Sequence, residues 1–162
     1  MHRMAAGPPM PEQDRLTSVD CNCRAVRQAA RTITQFYDRH LAPSGLRISQ
    51  FGVLAILMNK GPLTINELAA EFIIDRTTLG RNILPLQRDG LIRVKPSPFD
   101  RRSKELHLTE TGKKRFHEAR KYWLEAQKGF EARFGGSRAA ELRGLLHAVV
   151  DSDIRPAAAL AN

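Results

Sequence analysis

Arginine and threonine side chains cluster in two short stretches whose chemistry suits nucleic-acid binding. The first stretch, DRTTLGR, covers residues 75–81, and the second, DRRSK, covers residues 100–104. Arginine forks onto guanine edges or phosphate oxygens, whereas threonine donates to phosphate or touches a thymine methyl group. Helix capping and solvation are the simpler explanation of the same residues. The side chains that we expect at the DNA are Arg76, Thr77, Thr78, Arg81, Arg101 and Arg102.

The positive charge of the chain is concentrated around these stretches. The 162 residues carry a net charge of +9, and residues 75–115 hold eleven Lys and Arg against five Asp and Glu. A charge excess alone does not separate nucleic acid from a membrane surface. However, these residues straddle a predicted helix, a strand pair and a turn instead of one continuous amphipathic face, and no apolar run approaches the length of a membrane span. We therefore expect double-stranded DNA as partner and no membrane.

Two short helices joined by a tight turn are predicted in front of the first stretch and through it. Thr64 and Glu67 form a capping box, so a helix should begin at Ile65. Asp75 should cap the next helix, which ends at Gly90 because glycine readily adopts the left-handed stop. Two short helices of this kind, the second polar and basic in its first turns, are typical of a helix-turn-helix.

A strand pair with a basic turn follows these helices. Residues 91–95 and 104–108 have the pattern of strands, and residues 96–102 are rich in Pro, Ser and Arg. A helix-turn-helix followed by such a hairpin predicts a winged helix, mostly α with a small β-wing. Pro85 conflicts with a regular second helix, so we expect a kink near Arg81, or a reading part confined to the first two turns.

The N-terminal part of the chain predicts two helices. Apolar side chains recur at helical spacing over residues 23–41, with Asp20 or Asn22 as the cap. A second helix is expected to open at Ser49 and to stop at Gly61. Ser49 and its neighbour Gln50 would then lie where a helix N-terminus can take a phosphate, with plain capping as the alternative. Both are further candidates for DNA contact.

The C-terminal part predicts two more apolar helices, which the central module does not need. Thr109 should cap a long helix that ends at Gly135, and Ser137 should cap the last one. Their expected partner is a second copy of the chain. The predicted organisation is a disordered tail over 1–19, an N-terminal dimerisation helix over 20–46, a winged helix-turn-helix DNA-binding domain over 47–108, and C-terminal dimerisation helices over 109–162.

The order of these parts resembles the MarR (multiple antibiotic resistance regulator) family of winged-helix transcription factors. The resemblance rests on DRTTLGRNILPLQRDGLI, residues 75–92, and on DRRSKELHLTETGKKRF, residues 100–116. It implies a homodimer that binds a palindromic operator, a ligand-responsive repressor in function. In the family's Asp-x-Arg motif, here Asp100 and Arg102, the aspartate orients the arginine that enters the minor groove. Gly80 departs from the pattern, because a hydroxyl residue is expected there.

Aromatic side chains predict where an effector could bind. Tyr37, His40, Phe51, Phe116 and Trp123 come from helices that should meet between the dimer body and the winged lobe. Most such residues are core, but a cavity among them would take a small aromatic or acidic molecule.

Two neighbouring cysteines leave a second interpretation open. Cys21 and Cys23 are too few for a disulfide framework, which agrees with a reducing, cytoplasmic setting. Organic-hydroperoxide sensors in the same family carry an N-terminal reactive cysteine, so a thiol redox switch is one alternative function, and a winged-helix protein-interaction module without an operator is another. Neither a cofactor nor a metal site is expected, and no catalytic motif predicts an enzyme.

Overall fold

The computed structural model describes residues 21–98, 102–152 and 154. The predicted tail over 1–19 lies outside these residues, as do Asp100 and Arg101 of the predicted wing tip. The chain divides into two compact units, Met1–Gln35 and Phe36–Asn162. The first unit contributes most of α1, Asn22–Leu41, and the side chains of residues 21–32 are exposed.

The second unit contains the end of α1 and all other elements. A single 3-10 turn, Ala42–Ser44, follows α1 and ends at Gly45, which has a φ of 72°. The remaining helices are α2, Ile48–Lys60; α3, Ile65–Phe72; α4, Arg76–Arg88; α5, Glu110–Phe134; and α6, Gly136–Asp151. The strands are β1, Leu63–Thr64; β2, Ile92–Pro96; and β3, Lys104–Leu108. A mostly helical winged helix is thereby confirmed.

The sheet has three antiparallel strands in the order β1-β3-β2. The register of the sheet can be read at Leu106, which lies opposite Val94 of β2 on one side and Leu63 of β1 on the other. The predicted strand pair is present, although β2 starts at Ile92 instead of residue 91. Leu91 lies opposite Thr109, whose amide donates to the Leu91 carbonyl, and the pairing ends there because Thr109 caps α5. The two-residue strand β1 was not predicted.

One apolar core holds the helix-turn-helix and the sheet together. Its fully buried side chains come from every element around it and include Leu41, Leu54, Leu68, Leu79, Leu86, Leu91, Ile92 and Leu106. Each buried leucine or isoleucine contributes about 1.5–3 kcal/mol. The core therefore fixes the direction in which α4 presents its opposite, exposed face.

Two predicted helix caps are wrong. α2 starts at Ile48, so Ser49 lies inside its first turn; Asp38 accepts from the Ile48 amide at 2.7 Å and thereby replaces a serine cap. α6 starts at Gly136 directly after Gly135, whose φ is 96°. Because Gly135 both ends α5 and precedes α6, Ser137 falls inside the helix and caps nothing there.

Pro85 does not divide α4, which runs unbroken from Arg76 to Arg88. Proline removes only the hydrogen bond to the Arg81 carbonyl, whereas Ile83 and Leu86 on either side are buried in the core. Packing on both sides of the proline thus holds the third turn in place. α4 ends where the sequence predicted, just before Asp89 and Gly90.

Candidate nucleic-acid interface

The helix-turn-helix begins with the predicted capping box. The Thr64 hydroxyl accepts from the Glu67 amide at 3.2 Å, and the Glu67 carboxylate accepts from the Thr64 amide at 2.7 Å. Hydrogen bonds from Thr64 lower the pKa of Glu67. The box satisfies two amides that a helix start otherwise leaves without partners, and it sets where α3 begins.

The turn between α3 and α4 is closed by a residue in an unusual conformation. Ile73 has a φ of 52° and a ψ of 44°, and it is the only non-glycine residue with positive φ in the described part of the chain. Ile74 donates to the Ala69 carbonyl and Ile73 to the Ala70 carbonyl, the hydrogen-bond pair of a Schellman motif. Glycine normally takes this position, and a β-branched residue there costs about 1–2 kcal/mol.

Asp75 caps α4 as predicted. It also forms hydrogen bonds with Thr78, one of the predicted DNA-contact residues. Its carboxylate accepts from the Thr78 amide at 2.8 Å and from the Thr78 hydroxyl at 2.6 Å. The hydrogen bond from the Thr78 side chain is the first reason that the pKa of Asp75 is lowered. Thr78 therefore donates its hydroxyl proton within the chain, whereas the exposed Thr77 stands on the outer face.

The two faces of α4 have opposite chemistry. Leu79, Ile83 and Leu86 are buried against the core. At 3.6 residues per turn, Thr77, Arg81, Leu84 and Arg88 lie within about 60° of one another on the opposite face. All four are exposed, as is Arg76. This face can present two guanidinium groups and a hydroxyl to a groove, and Arg76 adds a third guanidinium at the start of the helix.

Gly80 lies beside that face in open space. A Cβ placed on Gly80 would meet nothing within 4 Å, and its φ is not positive. Glycine in a helix interior costs roughly 0.5–1 kcal/mol relative to alanine. Among the described residues, neither packing nor backbone geometry requires glycine here.

The wing carries the second group of predicted contacts. Its base is closed by a hydrogen bond of 2.9 Å from the Ser97 amide to the Ser103 carbonyl. Arg102 lies just before β3 with an exposed side chain, and Arg93 and Lys95 are exposed on β2. The wing therefore adds cationic side chains to those of α4, on a separate element of the same compact unit.

Ser49 and Gln50 are occupied by contacts within the chain. The Ser49 hydroxyl donates to Oδ1 of Asn82 at 3.3 Å, which links α2 to α4. Oε1 of Gln50 accepts from the Arg47 amide at 2.9 Å. With Asp38 on the Ile48 amide, the start of α2 already has acceptors from its own chain. A phosphate there would have to compete with these groups.

The wing is fastened to the start of α5. The Thr109 hydroxyl donates to the Gly90 carbonyl at 2.7 Å and accepts from the Gly112 amide at 2.9 Å. The Thr109 amide donates to the Leu91 carbonyl at 3.1 Å. A Cβ on Gly112 would lie 2.1 Å from the Leu91 oxygen, so only glycine fits this approach.

Three of the aromatic effector candidates form one stack. The ring centroids of Phe51 and Phe116 are 5.3 Å apart, and those of Phe51 and Trp123 are 5.9 Å apart. Phe51 and Phe116 are buried, whereas Trp123 is half-buried. Phe51 and Phe116 thus serve the core, and Trp123 closes its outer edge.

Tyr37 and His40 belong to a different cluster. The Tyr37 hydroxyl donates to Oε1 of Gln127, and Nδ1 of His40 lies 2.9 Å from the Phe36 carbonyl. Burial raises the pKa of Tyr37, and the charge of Glu131 raises it further. The five candidates therefore divide between two packed clusters.

Cys21 and Cys23 are exposed free thiols on the first unit; Cys21 lies just before α1, and Cys23 lies in its first turn next to Arg24. No group of three or more His, Cys, Asp or Glu side chains in the described residues could hold a metal ion. Within that same part of the chain no single helix is long and apolar enough to cross a membrane, although the bent pair Asn22–Ser44 and Ile48–Lys60 has sufficient length and apolar content taken together.

Comparison with known proteins identifies the family to which this winged helix belongs. Residues 44–103 match the model of the MarR family. A transcriptional regulatory protein described as putative, for the hcr operon of Thauera aromatica, is 30% identical over 80% of this chain and 74% of its own length. The chain belongs to the MarR family. MosR, a transcriptional regulator of M. tuberculosis solved in complex with DNA, is 37% identical, with a TM-score of 0.69 over 80% of this chain and 96% of MosR.

The fold extends to more distant MarR-family structures. A variant of E. coli MarR complexed with operator DNA superposes with a TM-score of 0.74 at 20% identity, over 84% of this chain and 98% of MarR. The relatives are transcriptional regulators and not enzymes, which confirms the prediction from the missing catalytic motifs. The protein is a DNA-binding transcriptional regulator with a winged helix.

Proposed function

We propose that the protein acts in the cytoplasm as a homodimeric, ligand-responsive repressor on a palindromic operator. The observation that carries the proposal is the outer face of α4, where exposed Thr77, Arg81 and Arg88 stand opposite the buried core face. A recognition helix held rigidly from behind and polar in front fits the major groove. MosR, the relative solved with DNA, supports the same partner.

Within this proposal, Arg76, Thr77 and Arg81 contact the major groove and Arg102 the minor groove. Thr78 has a positioning role instead, because its hydroxyl and amide both bind Asp75. Asp100 and Arg101 keep the roles that the family motif implies, although they lie outside the described residues. Ser49 and Gln50 make at most a secondary phosphate contact, since their side chains already bind Asn82 and Arg47.

The dimer rests on α6. Leu145, Leu146, Val149 and Val150 recur at helical spacing, and all four are exposed in the single chain, Leu145 by 61%. A contiguous exposed apolar face of this kind marks a protein contact. A second copy is the partner that also supplies the second recognition helix that a palindromic operator requires.

Sedimentation at micromolar concentration tests the dimer. The pair Leu145→Glu and Val149→Glu should shift the protein to monomer, because two buried carboxylates without partners are costly. His147→Glu, on another side of α6, is the matched control and should leave the dimer intact. A wild-type monomer at that concentration would remove the basis for palindrome binding.

DNA binding is tested on a duplex that the full-length protein selects from a random library. Arg102→Ala should weaken binding to this duplex by about 1–3 kcal/mol with little change in the melting temperature. Lys128→Ala removes one exposed charge from the middle of α5 and should have little effect. Equal affinity of wild type and Arg102→Ala would exclude the wing from the interface.

An effector releases DNA by favouring another spacing of the two lobes. Trp123 is the single tryptophan of the chain and lies half-buried at the edge of the aromatic stack, so its fluorescence reports on a ligand bound there. Of the five effector candidates, His40 and Trp123 are half-buried, whereas Tyr37, Phe51 and Phe116 are buried. Titration with benzoate, and then with larger aromatic acids, should change Trp123 emission and lower duplex affinity over the same concentration range. Emission and affinity that do not change together would contradict an effector site at the stack.

A thiol redox switch is the second candidate function, favoured by the exposure of both Cys21 and Cys23. In that case peroxide should abolish duplex binding, and Cys21→Ser or Cys23→Ser should protect it. Unprotected loss, or no loss, would dismiss the switch. The protein-interaction module without an operator is disfavoured by membership of a DNA-binding family.

A further inference from the structure

An exposed leucine lies on the polar recognition face, between Arg81 and Arg88 along the helix axis. Leu84 is 65% exposed, although the neighbouring apolar residues Leu79, Ile83 and Leu86 of the same helix are buried. On the helical wheel Leu84 lies about 20° from Thr77 and about 60° from Arg81, at one edge of the face that points away from the core. Every residue of α4 is described, and no other large apolar side chain shares that face. Packing against the part of the chain that the structure describes does not account for a leucine here.

The surroundings of Leu84 are open and cationic. Gly80, one turn earlier, has no side chain, and a Cβ there would meet nothing within 4 Å. Arg81 and Arg88 flank the leucine along the helix, and both are exposed. Leu84 is therefore an apolar side chain between two guanidinium groups. Because Gly80 has no side chain, the backbone of α4 can approach a partner's surface closely there.

A duplex major groove offers a matching surface. Phosphates border it on both sides, and the thymine 5-methyl group is the apolar feature of its floor. A protein partner would match the leucine equally well, but the two arginines favour a polyanion. α4 continues as a helix through Pro85, so the third turn, which carries Leu84, belongs to the same helix as the first two.

We propose that Leu84 is a specificity-determining residue that contacts a thymine methyl group in each half-site. The proposal rests on the proposed function, because it requires α4 to enter the major groove. It extends the reading surface by one turn beyond Arg81. It also explains an exposed leucine and an open glycine by one cause, the close approach of base edges.

The test uses the duplex selected by the full-length protein from a random library, with each thymine replaced in turn by deoxyuridine. This replacement removes only the methyl group. For the wild type, one position in each half-site should weaken binding about fourfold, the value of burying one methyl group. Leu84→Ala should bind the thymine duplex more weakly and lose the penalty at that position. Because Leu84 is largely exposed, the variant should melt as the wild type does.

Arg88→Ala is the control on the same face. It should weaken binding to the thymine and deoxyuridine duplexes alike and keep the fourfold ratio between them. If the wild type responds to no thymine methyl, or if Leu84→Ala retains the full penalty, the inference is wrong while the proposed function stands. A change in oligomeric state of Leu84→Ala with an unchanged penalty would identify a protein contact and overturn it as well. A library that yields no consensus overturns both.

Discussion

Gly80 in α4 and Gly112 in α5 both lie inside helices that begin with a side-chain cap. A Cβ on Gly112 would collide with the Leu91 oxygen, whereas a Cβ on Gly80 would meet nothing. The start of α5 is thus satisfied by its own chain through Thr109, Leu91 and Gly112. The outer face of α4, by contrast, is exposed. Residues whose identity the fold explains serve stability, and those that it leaves unexplained indicate where a partner binds.

The largest effect should come from filling the closed site. Gly112→Ala should lower the free energy of unfolding by about 3 kcal/mol, because the backbone oxygen of Leu91 cannot move aside as a flexible side chain could. Urea denaturation measures the change. Gly144→Ala, with open space around it in α6, is the control and should not destabilise. A mild loss at Gly112 would mean that the α5 junction is more adaptable than its geometry indicates.

The next effect concerns the open face. Arg81→Ala should weaken binding to the selected duplex by about 1–3 kcal/mol and binding to random duplex much less, because Arg81 is proposed to read a base. Stability should barely change, since the side chain is exposed. Fluorescence anisotropy at two salt concentrations decides the role. Equal losses on both duplexes, with a salt slope smaller by about one, would show a phosphate contact instead.

A smaller effect, of opposite sign to that at Gly112, is expected at Gly80. Gly80→Ala should raise the free energy of unfolding by roughly 0.5–1 kcal/mol, because alanine favours the helix and the space is empty. Thermal denaturation without DNA measures it. Destabilisation would reveal a packing role for Gly80 and weaken the contrast between the two sites.

The smallest expected effect is on the pH dependence of stability, through the carboxylate of the Asp75 cap. Hydrogen bonds from Thr78 lower the pKa of Asp75, so its stabilising contribution is complete above the unfolded-state pKa and is lost as pH falls through the lowered one. Asp75→Asn keeps a capping oxygen without the titration. It should flatten the acid side of the stability profile slightly, since the group is exposed and screened by solvent. An unchanged profile would assign the acid response to other carboxylates.

Local signals made much of the fold and part of the interface predictable. Thr64, Asp75 and Thr109 cap the helices that they were predicted to cap, because each acceptor lies three residues from the amide that it binds. Ser49 and Ser137 are also good capping residues by type, but Asp38 takes the place of Ser49 and α6 begins directly after Gly135, which is a matter of packing and backbone geometry.

Features set by long-range contacts escaped prediction. The two-residue strand β1 exists because Leu63 pairs with Leu106, more than forty residues away. The left-handed Ile73 is held by its neighbours against its own preference. The exposure of Leu84 could not be separated from the burial of Ile83 and Leu86 without the core in view. Apolar spacing alone does not tell which leucine of a helix faces outward.

Thr109 is hydrogen-bonded to Gly90 and Leu91, and Gly112 approaches Leu91 closely. These contacts at the C-terminal end of the helix-turn-helix have a mechanical consequence. α5 has 25 residues and is therefore about 38 Å long. The start of α5 is hydrogen-bonded to Gly90 and Leu91 through Thr109, so the wing should move together with α5 when the helix tilts. A tilt of about 5° at one end displaces the other by roughly 3 Å over this length. A rigid helix of this length would carry a small rearrangement at its far end to the proposed DNA-binding elements, as a displacement of about the reach of one hydrogen bond.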